Sequence, residues 1–161
     1  MNYRLEYDGS CWPNPHGTAG YGFVVYENNN IIKSGYGIAG YGNGMSNNYA
    51  EYFALCEGLE YFLSLNIYNC NLDIFGDSMM VTKQMNSKKY QNKVEPFKNN
   101  ACFYVPQAIR AINLIKQLKY RGIKISFNWN KREENQICDE LSKKALPEQT
   151  LNKMKKFYKS V

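Results

Sequence analysis

Aromatic and β-branched residues alternate with polar and glycine positions through the first third of the chain. This pattern is typical of β-strands. It predicts three strands, at Tyr3–Tyr7, Gly20–Tyr26 and Ile31–Ile38. The asparagines at 28–30 suit the turn between the second and third strands, because asparagine tolerates positive φ. The first third is therefore predicted as an antiparallel hairpin region.

The spacing of apolar residues changes to three and four from Asn48 to Leu65, which is the repeat of an α-helix. Beyond this helix, short apolar runs alternate with helical spacing. The further predicted segments are a strand at Asn71–Phe75, a helix from Ser78 to Met85, a polar segment at Ser87–Asn100, a helix at Tyr104–Tyr120, a strand at Ile123–Trp129, a helix at Gln136–Ala145 and an amphipathic helix opened by Pro147. This order predicts an α/β fold, with a five-stranded mixed sheet of three antiparallel and two parallel strands flanked by helices.

The length of 161 residues, with 44% hydrophobic residues, suits one compact domain. We expect the main domain to span residues 1–146 and the tail helix at 147–161 to belong to the same domain. The net charge of +6 favours a polyanionic partner. Charge alone is weak support, because many basic proteins never bind nucleic acid.

The cysteine pattern indicates a reducing compartment. The chain has five cysteines, an odd number, and no Cys-x-x-Cys pair, so we expect neither a disulfide framework nor a zinc site. There is no basic-then-apolar signal region, and no apolar stretch approaches the ~20 residues of a membrane span. We expect an intracellular, cytoplasmic protein with no membrane association, monomeric by default, with a nuclear, organellar or viral-factory setting left open.

Four carboxylates, Asp8, Glu51, Asp77 and Asp139, lie in local contexts unusual for surface acids. If the fold brings them together, their charges repel strongly unless divalent cations neutralise them. The set therefore predicts a magnesium-dependent site that cleaves phosphodiesters.

Each carboxylate taken alone also allows a structural role. Glu51 and Asp139 suit the first turns of helices, where acids are favoured, and Asp77 suits a helix cap. Asp8 is predicted to end an aromatic strand. No comparable structural role explains it, because aspartate is disfavoured in strands. For single residues these alternatives stay open, and the four residues as an ordered set favour the metal site.

Several short motifs occur along the chain in a fixed order. They are Asp8-Gly9-Ser10, Asn14-Pro15, Gly20-x-Gly22, Ser46-Asn47-Asn48-x-x-Glu51, Asp77-Ser78 and Asn135-x-x-x-Asp139-x-Leu141. Together they resemble the type 1 ribonuclease H family over about Tyr3–Ala145. The β-β-β-α-β-α-β-α order predicted from apolar spacing agrees with that family's fold.

The resemblance implies hydrolysis of the RNA strand of RNA/DNA hybrids by two Mg²⁺ ions, with Mn²⁺ as a possible substitute, leaving 5′-phosphate and 3′-hydroxyl ends. It implies that Asp8 bridges both ions, that Asp139 helps to hold the ion activating the attacking water, and that Glu51 and Asp77 hold the other. Primer removal and clearance of hybrids are the implied roles. A catalytically silent hybrid- or duplex-binding module and a nuclease of the same fold acting on another polynucleotide are the alternatives.

The resemblance also implies substrate contacts from backbone, hydroxyl and amide groups, which can recognise the 2′-hydroxyl of RNA. The implied residues are Gly9, Ser10, Asn14, Ser46, Asn47, Asn48, Ser78 and Asn135. For the asparagines the alternative is loop and cap hydrogen bonding, and for Asn47 the two interpretations are evenly balanced.

The segment at 130–135 departs from many family members because it contains no histidine. It resembles the shorter Arg-Glu-x-Asn version of one branch, so we expect slower turnover, with Arg132 or Glu134 as candidate participants. The single histidine, His16, is predicted as a surface turn residue, with a phosphate contact as the alternative.

Other side chains are given no catalytic role. Trp129 is predicted to pack in the core, and Trp12 either contacts a ribose or base or anchors its loop. Lysines at positions 83, 88, 89, 93 and 98 are candidates for gripping the DNA strand or form a solvated face. The tail helix is predicted to dock on its own domain through an apolar stripe of Leu151, Met154, Phe157 and Val161.

Overall fold

A five-stranded mixed sheet forms the centre of the protein, as seen in a computed structural model that describes residues 1–89 and 103–160. The strands are β1 (Asn2–Trp12), β2 (Thr18–Glu27), β3 (Asn30–Tyr41), β4 (Asn71–Gly76) and β5 (Lys124–Trp129). Their order across the sheet is β3-β2-β1-β4-β5. Strands β1, β2 and β3 pair antiparallel, whereas β4 pairs parallel with β1 and β5 parallel with β4. The predicted mixed sheet is confirmed.

Helices cover both faces of the sheet. Within the described residues they are α1 (Asn47–Ser64), α2 (Met79–Asn86), α3 (Val105–Tyr120), α4 (Gln136–Lys144) and α5 (Glu148–Lys159), with a 3₁₀ turn at Arg132–Glu134. Successive side chains of a strand point to opposite faces. On β1, Leu5 lies against Gly58 of α1, and Ser10 donates a hydrogen bond to the Ser142 carbonyl of α4. Helices α1 and α4 therefore lie on opposite faces.

The main hydrophobic core lies between the sheet and helices α1 and α3. The Tyr3 ring of β1 meets Phe62 of α1 edge to face, with ring centroids 5.2 Å apart. Tyr52 of α1 stacks on Tyr104, which precedes α3, at 5.5 Å. Leu5 is fully buried within the same cluster. These contacts fix α1 against β1, the strand that carries Asp8.

Local sequence sets several boundaries of the helices and strands. Asn28 and Asn29 adopt φ of 47° and 69° in the turn between β2 and β3, as asparagine permits. Ser78 caps α2 by accepting a hydrogen bond from the Val81 amide. Gly122, with φ of 76°, follows the end of α3, where a left-handed glycine commonly ends a helix.

Two predictions about strand ends are wrong. Strand β1 continues to Trp12, so Asp8 lies inside the strand, because pairing with β2 extends through this region and sets Asp8 opposite Gly22. Trp129 is 46% exposed rather than packed in the core. It is the last residue of the edge strand β5, and its Nε1 donates to the Asp77 carbonyl.

The tail helix α5 contacts the end of β1. Met154 is buried, and the Phe157 ring lies 4.9 Å from the Trp12 ring. Trp12 therefore anchors α5 to the end of β1. The last residue of the predicted stripe, Val161, lies outside the described residues.

His16 is exposed with φ of 71°, which confirms a surface turn. Within the described residues the cysteines, at positions 11, 56, 70 and 138, are buried and free. In the same residues, the helices are too short or too polar to cross a membrane. Most of the predicted polar segment, including Lys93 and Lys98, lies outside the described residues.

Replacing Gly22 with alanine tests the close packing of α4 on β2. A Cβ at Gly22 meets the Leu141 Cβ at 2.5 Å and the Ser142 amide nitrogen at 2.8 Å, so the helix must shift. We expect Gly22→Ala to lower the free energy of unfolding by about 1–3 kcal/mol in urea denaturation.

Gly37→Ala on β3 is the matched control, because its Cβ meets only the end of the Tyr21 ring, at 3.0 Å. A side-chain end yields more easily than a helix backbone, so the loss should be clearly smaller. Equal losses for the two variants contradict the packing account.

Candidate active site

Three of the four predicted carboxylates meet at one place. Asp8, Glu51 and Asp77 each offer an oxygen, and these oxygens all lie within 4.8 Å of one another. The parallel register sets Glu6 of β1 beside Phe75 of β4, so two residues further on Asp8 and Asp77 are neighbours. Such convergence beyond the carboxyl end of a strand is common for ligand sites in α/β folds.

Gly9 allows Glu51 to reach the same place from helix α1. A Cβ at Gly9 would lie 2.2 Å from the Ala50 carbonyl carbon and 2.3 Å from the Glu51 amide nitrogen. No side chain fits there, so α1 contacts the β1 backbone directly. The Gly9 amide also donates to Asp8 Oδ1 at 2.9 Å, which orients that carboxylate. Gly9 was predicted as a substrate contact, and the structure adds this packing role.

Asp139 lines the same cleft, of about 270 Å³, from the first turn of α4. It lies outside the group of three and forms ion pairs with basic side chains instead. Lys143 Nζ is 3.1 Å from its carboxylate, and Arg132 is 3.8 Å away. Asn135 ties the start of α4 to β1 by donating its Nδ2 to the Tyr7 carbonyl. The cleft therefore holds all four predicted carboxylates, three as a tight cluster and the fourth as an ion pair at its edge.

Burial and mutual repulsion raise the pKa of each clustered acid. The pKa of Asp8 rises to about 7, first because of burial and then because of the charge on Asp77. Burial, followed by repulsion from Asp8, raises the pKa of Glu51 well above its usual range. Burial also raises the pKa of Asp77, while Arg132 opposes the rise. Without a cation, the cluster cannot hold its full negative charge near neutral pH.

The donor set fits a hard divalent cation. The three side chains offer carboxylate oxygens, the ligands that Mg²⁺ and Mn²⁺ favour. Within the described part of the chain, Glu51 Oε2 is buried and has no hydrogen-bond partner. A buried carboxylate oxygen without a partner is costly, and a bound cation removes that cost.

The predicted substrate residues near α1 are tied into the fold. Asn14 Oδ1 accepts a hydrogen bond from the Asn47 amide at 3.0 Å. Asn47 Oδ1 in turn accepts from the Cys11 amide at 2.8 Å. Ser46 caps α1 by accepting from the Tyr49 amide. The loop and cap bonding considered as an alternative is therefore present for Asn14 and Asn47, and their substrate contacts stay predictions.

The remaining predicted substrate residues differ in exposure. Ser10 is buried and bonded to α4, and Asn135 is fully buried. Ser78 caps α2, and Asn48 is exposed at the start of α1. Asn135 in particular positions Asp139's helix, and a direct substrate contact for it remains a prediction.

Three cleft residues were not singled out from the sequence for this site. Lys143 pairs with Asp139, and a four-residue spacing of opposite charges on a helix is a readable signal for such a pair. Met154 and Tyr158 of α5 also line the cleft. Nothing local indicates their position, because it depends on how the tail helix docks.

Solved structures of similar fold were compared with this chain. It is 25% identical to the N-terminal RNase H domain of Rv2228c from Mycobacterium tuberculosis, covering 91% of this chain and 94% of that chain with a TM-score of 0.72. RNase H1 from the halophilic archaeon Halobacterium salinarum is 24% identical, with 91% and 98% covered and a TM-score of 0.71. LC11-RNase H1, solved in complex with an RNA/DNA hybrid, is 22% identical, with 89% and 96% covered and a TM-score of 0.70.

The sheet order and these similarities define a ribonuclease H-like domain. A family model described as reverse transcriptase-like matches residues 6–145. The chain belongs to that family, and its resemblance to the type 1 ribonuclease H family is confirmed.

The raised pKa values predict how stability depends on pH without metal. Because the folded state binds protons to Asp8 and Glu51 more tightly than the unfolded chain does, their contribution to stability is full below about pH 4. For Asp8 it is lost as pH rises through about 7. In EDTA we expect urea denaturation to show a free energy of unfolding that falls between pH 5 and 8, less steeply for Asp8→Asn.

Asp73→Asn is the control, because Asp73 lies exposed on β4 outside the cluster. It should keep the slope of the unmodified protein. An Asp8→Asn slope equal to that of the unmodified protein contradicts the assigned repulsion.

Proposed function

We propose that this protein is an endonuclease that hydrolyses the RNA strand of RNA/DNA hybrids and uses two divalent cations, Mg²⁺ or Mn²⁺. The observation that carries the proposal is the cluster of Asp8, Glu51 and Asp77, with oxygens within 4.8 Å of one another. Its position in a ribonuclease H-like fold, beside Asp139 in one cleft, supports it further.

Asp8, Glu51 and Asp77 would hold the cations, and Asp139 would contribute from the edge of the cleft. Cations held there supply Lewis-acid stabilisation of the attacking and leaving oxygens of an in-line displacement. The chain supplies orientation: the Gly9 amide fixes Asp8 Oδ1. Burial of Asp8 and Glu51 limits competing water, which strengthens electrostatic interactions in the cleft.

Lys143 and Arg132 form ion pairs with Asp139. Arg132 is largely exposed, with 66% of its side chain accessible, so it can turn toward a substrate phosphate. The loop that carries Arg132 contains no histidine. We infer slower turnover than with a histidine in this loop, with Arg132 or Glu134 as candidate participants.

Recognition of RNA is proposed to come from the side chains on the loop and helix next to the acids. The Oδ1 atoms of Asn14 and Asn47 accept hydrogen bonds that fix both residues against each other and against the end of β1. Their side-chain Nδ2 groups are therefore pre-positioned. A 2′-hydroxyl both donates and accepts hydrogen bonds, which lets amides select RNA without reading bases. LC11-RNase H1, of the same fold, was solved with an RNA/DNA hybrid, and that partner is the one proposed here.

Cleavage of three end-labelled duplexes tests the proposal. We expect the protein to cut the RNA strand of an RNA/DNA hybrid in Mg²⁺ or Mn²⁺, and not in EDTA, while duplex RNA and duplex DNA stay intact. Asp77→Asn should lower the cleavage rate more than about 100-fold, beyond the loss typical of groups that only support a metal ligand.

Asp73→Asn, on the strand that leads to Asp77, is the matched control and should cut at the unmodified rate. Binding of the hybrid without cutting in either cation contradicts the proposal in favour of a silent binding module. Preferred cutting of another duplex contradicts the substrate assignment, and full activity of Asp77→Asn contradicts the metal assignment.

A further inference from the structure

Helix α5 forms one wall of the acidic cleft. Met154 and Tyr158 line the cleft together with Asp8. The aromatic contact between Trp12 and Phe157 holds the helix there. The tail of the chain is therefore part of the site rather than a remote extension.

One face of α5 combines apolar and basic side chains. Residues three and four apart lie on the same face of a helix, and Leu151, Met154, Lys155, Tyr158 and Lys159 follow that spacing. These five side chains line a second cleft of about 300 Å³. Its opposite wall is formed by Arg132 and Lys143.

The second cleft is continuous with the acidic one. Both are lined by Arg132, Lys143, Met154 and Tyr158. An extended ligand bound at the carboxylates therefore meets the basic walls of the second cleft next.

The charge of the second cleft is strongly unbalanced. Of the described residues that line it, four are cationic and none is acidic. Arg132 and Lys143 share Asp139, whereas Lys155 and Lys159 take part in none of the ion pairs found within residues 1–89 and 103–160. Like charges four residues apart destabilise a helix slightly. An anion in the cleft removes that cost.

A nucleic-acid strand suits this arrangement better than a single small anion. A strand carries one phosphate for about every 3.4 Å of helix axis, so a phosphate at the carboxylates has neighbours close by. Tyr158, which lines both clefts, is 54% exposed. Aromatic rings beside basic groups are the usual means of holding sugars and bases.

We propose that helix α5 is a nucleic-acid-binding element of the cleft, in which Lys155 and Lys159, with Lys143, hold a backbone phosphate next to the one that is cut. This inference rests on the proposed nuclease function for the position of the cut phosphate. The binding itself can be measured without cleavage.

The test compares two double variants of the full chain that remove equal charge from the same helix. Lys155→Gln with Lys159→Gln changes the cleft, and Lys153→Gln with Lys156→Gln changes exposed lysines that line neither cleft. Binding of a labelled RNA/DNA hybrid is measured by fluorescence anisotropy in EDTA over a range of salt concentrations. Cleavage rates are measured separately in Mg²⁺, and thermal unfolding checks that both variants fold.

For Lys155→Gln with Lys159→Gln we expect at least about tenfold weaker binding than for the control pair. The slope of log Kd against log salt should become shallower by about one, because one phosphate contact is lost. In Mg²⁺ the KM should rise while kcat changes little. The control pair should keep the KM and the salt slope within about twofold of the unmodified protein.

Equal binding and equal salt slopes for the two pairs overturn the inference. Faster cleavage by Lys155→Gln with Lys159→Gln also overturns it, because α5 would then be an occluding element. If the unmodified protein cuts hybrids and the pairs do not differ, only this inference fails. If it never cuts but the cleft pair binds hybrids selectively worse, the inference on α5 stands and the nuclease proposal fails.

Discussion

The direct contact of helix α1 with the backbone of β1 is the constraint on which the site depends. The two elements are so close at Gly9 that no side chain fits between them. This contact places Glu51 beside Asp8. Bringing the two carboxylates together costs electrostatic free energy, since burial and mutual repulsion raise the pKa of both acids. The stability of the rest of the fold must offset this cost. The core between the sheet and helices α1 and α3 does so by fixing α1 through contacts such as Tyr3 with Phe62.

The acidic cleft is continuous with a basic one. This arrangement suits a polyanion that contacts bound metal cations at the carboxylates and basic side chains beside them. The carboxylates repel a bare phosphate, so substrate and divalent cations are expected to bind together. Beyond Asp139, the walls become basic through Lys143 and the lysines of α5. The position of the basic side chains beside the acids therefore says more about the binding partner than the overall charge of +6 does.

Much of the fold could be predicted because the signals are local. Apolar spacing indicated the helices and strands, and Ser78, Gly122 and the asparagines at 28 and 29 act where the sequence indicates. The ordered motifs identified the carboxylates that the fold brings into one cleft. The full length of β1, the exposure of Trp129 and the position of α5 were not predictable in this way. Each depends on pairing or packing between segments distant in the chain, such as Trp12 with Phe157.

Calorimetric titration with Mn²⁺ at pH 7, in two buffers of different ionisation heat, tests most directly whether the clustered acids form a cation site. The raised pKa values of Asp8 and Glu51 leave protons on the cluster at this pH. Cation binding must displace them. The account predicts saturable binding with net proton release, and affinity that increases from pH 6 to pH 8. Absence of binding, or binding without proton release at pH 7, would contradict it.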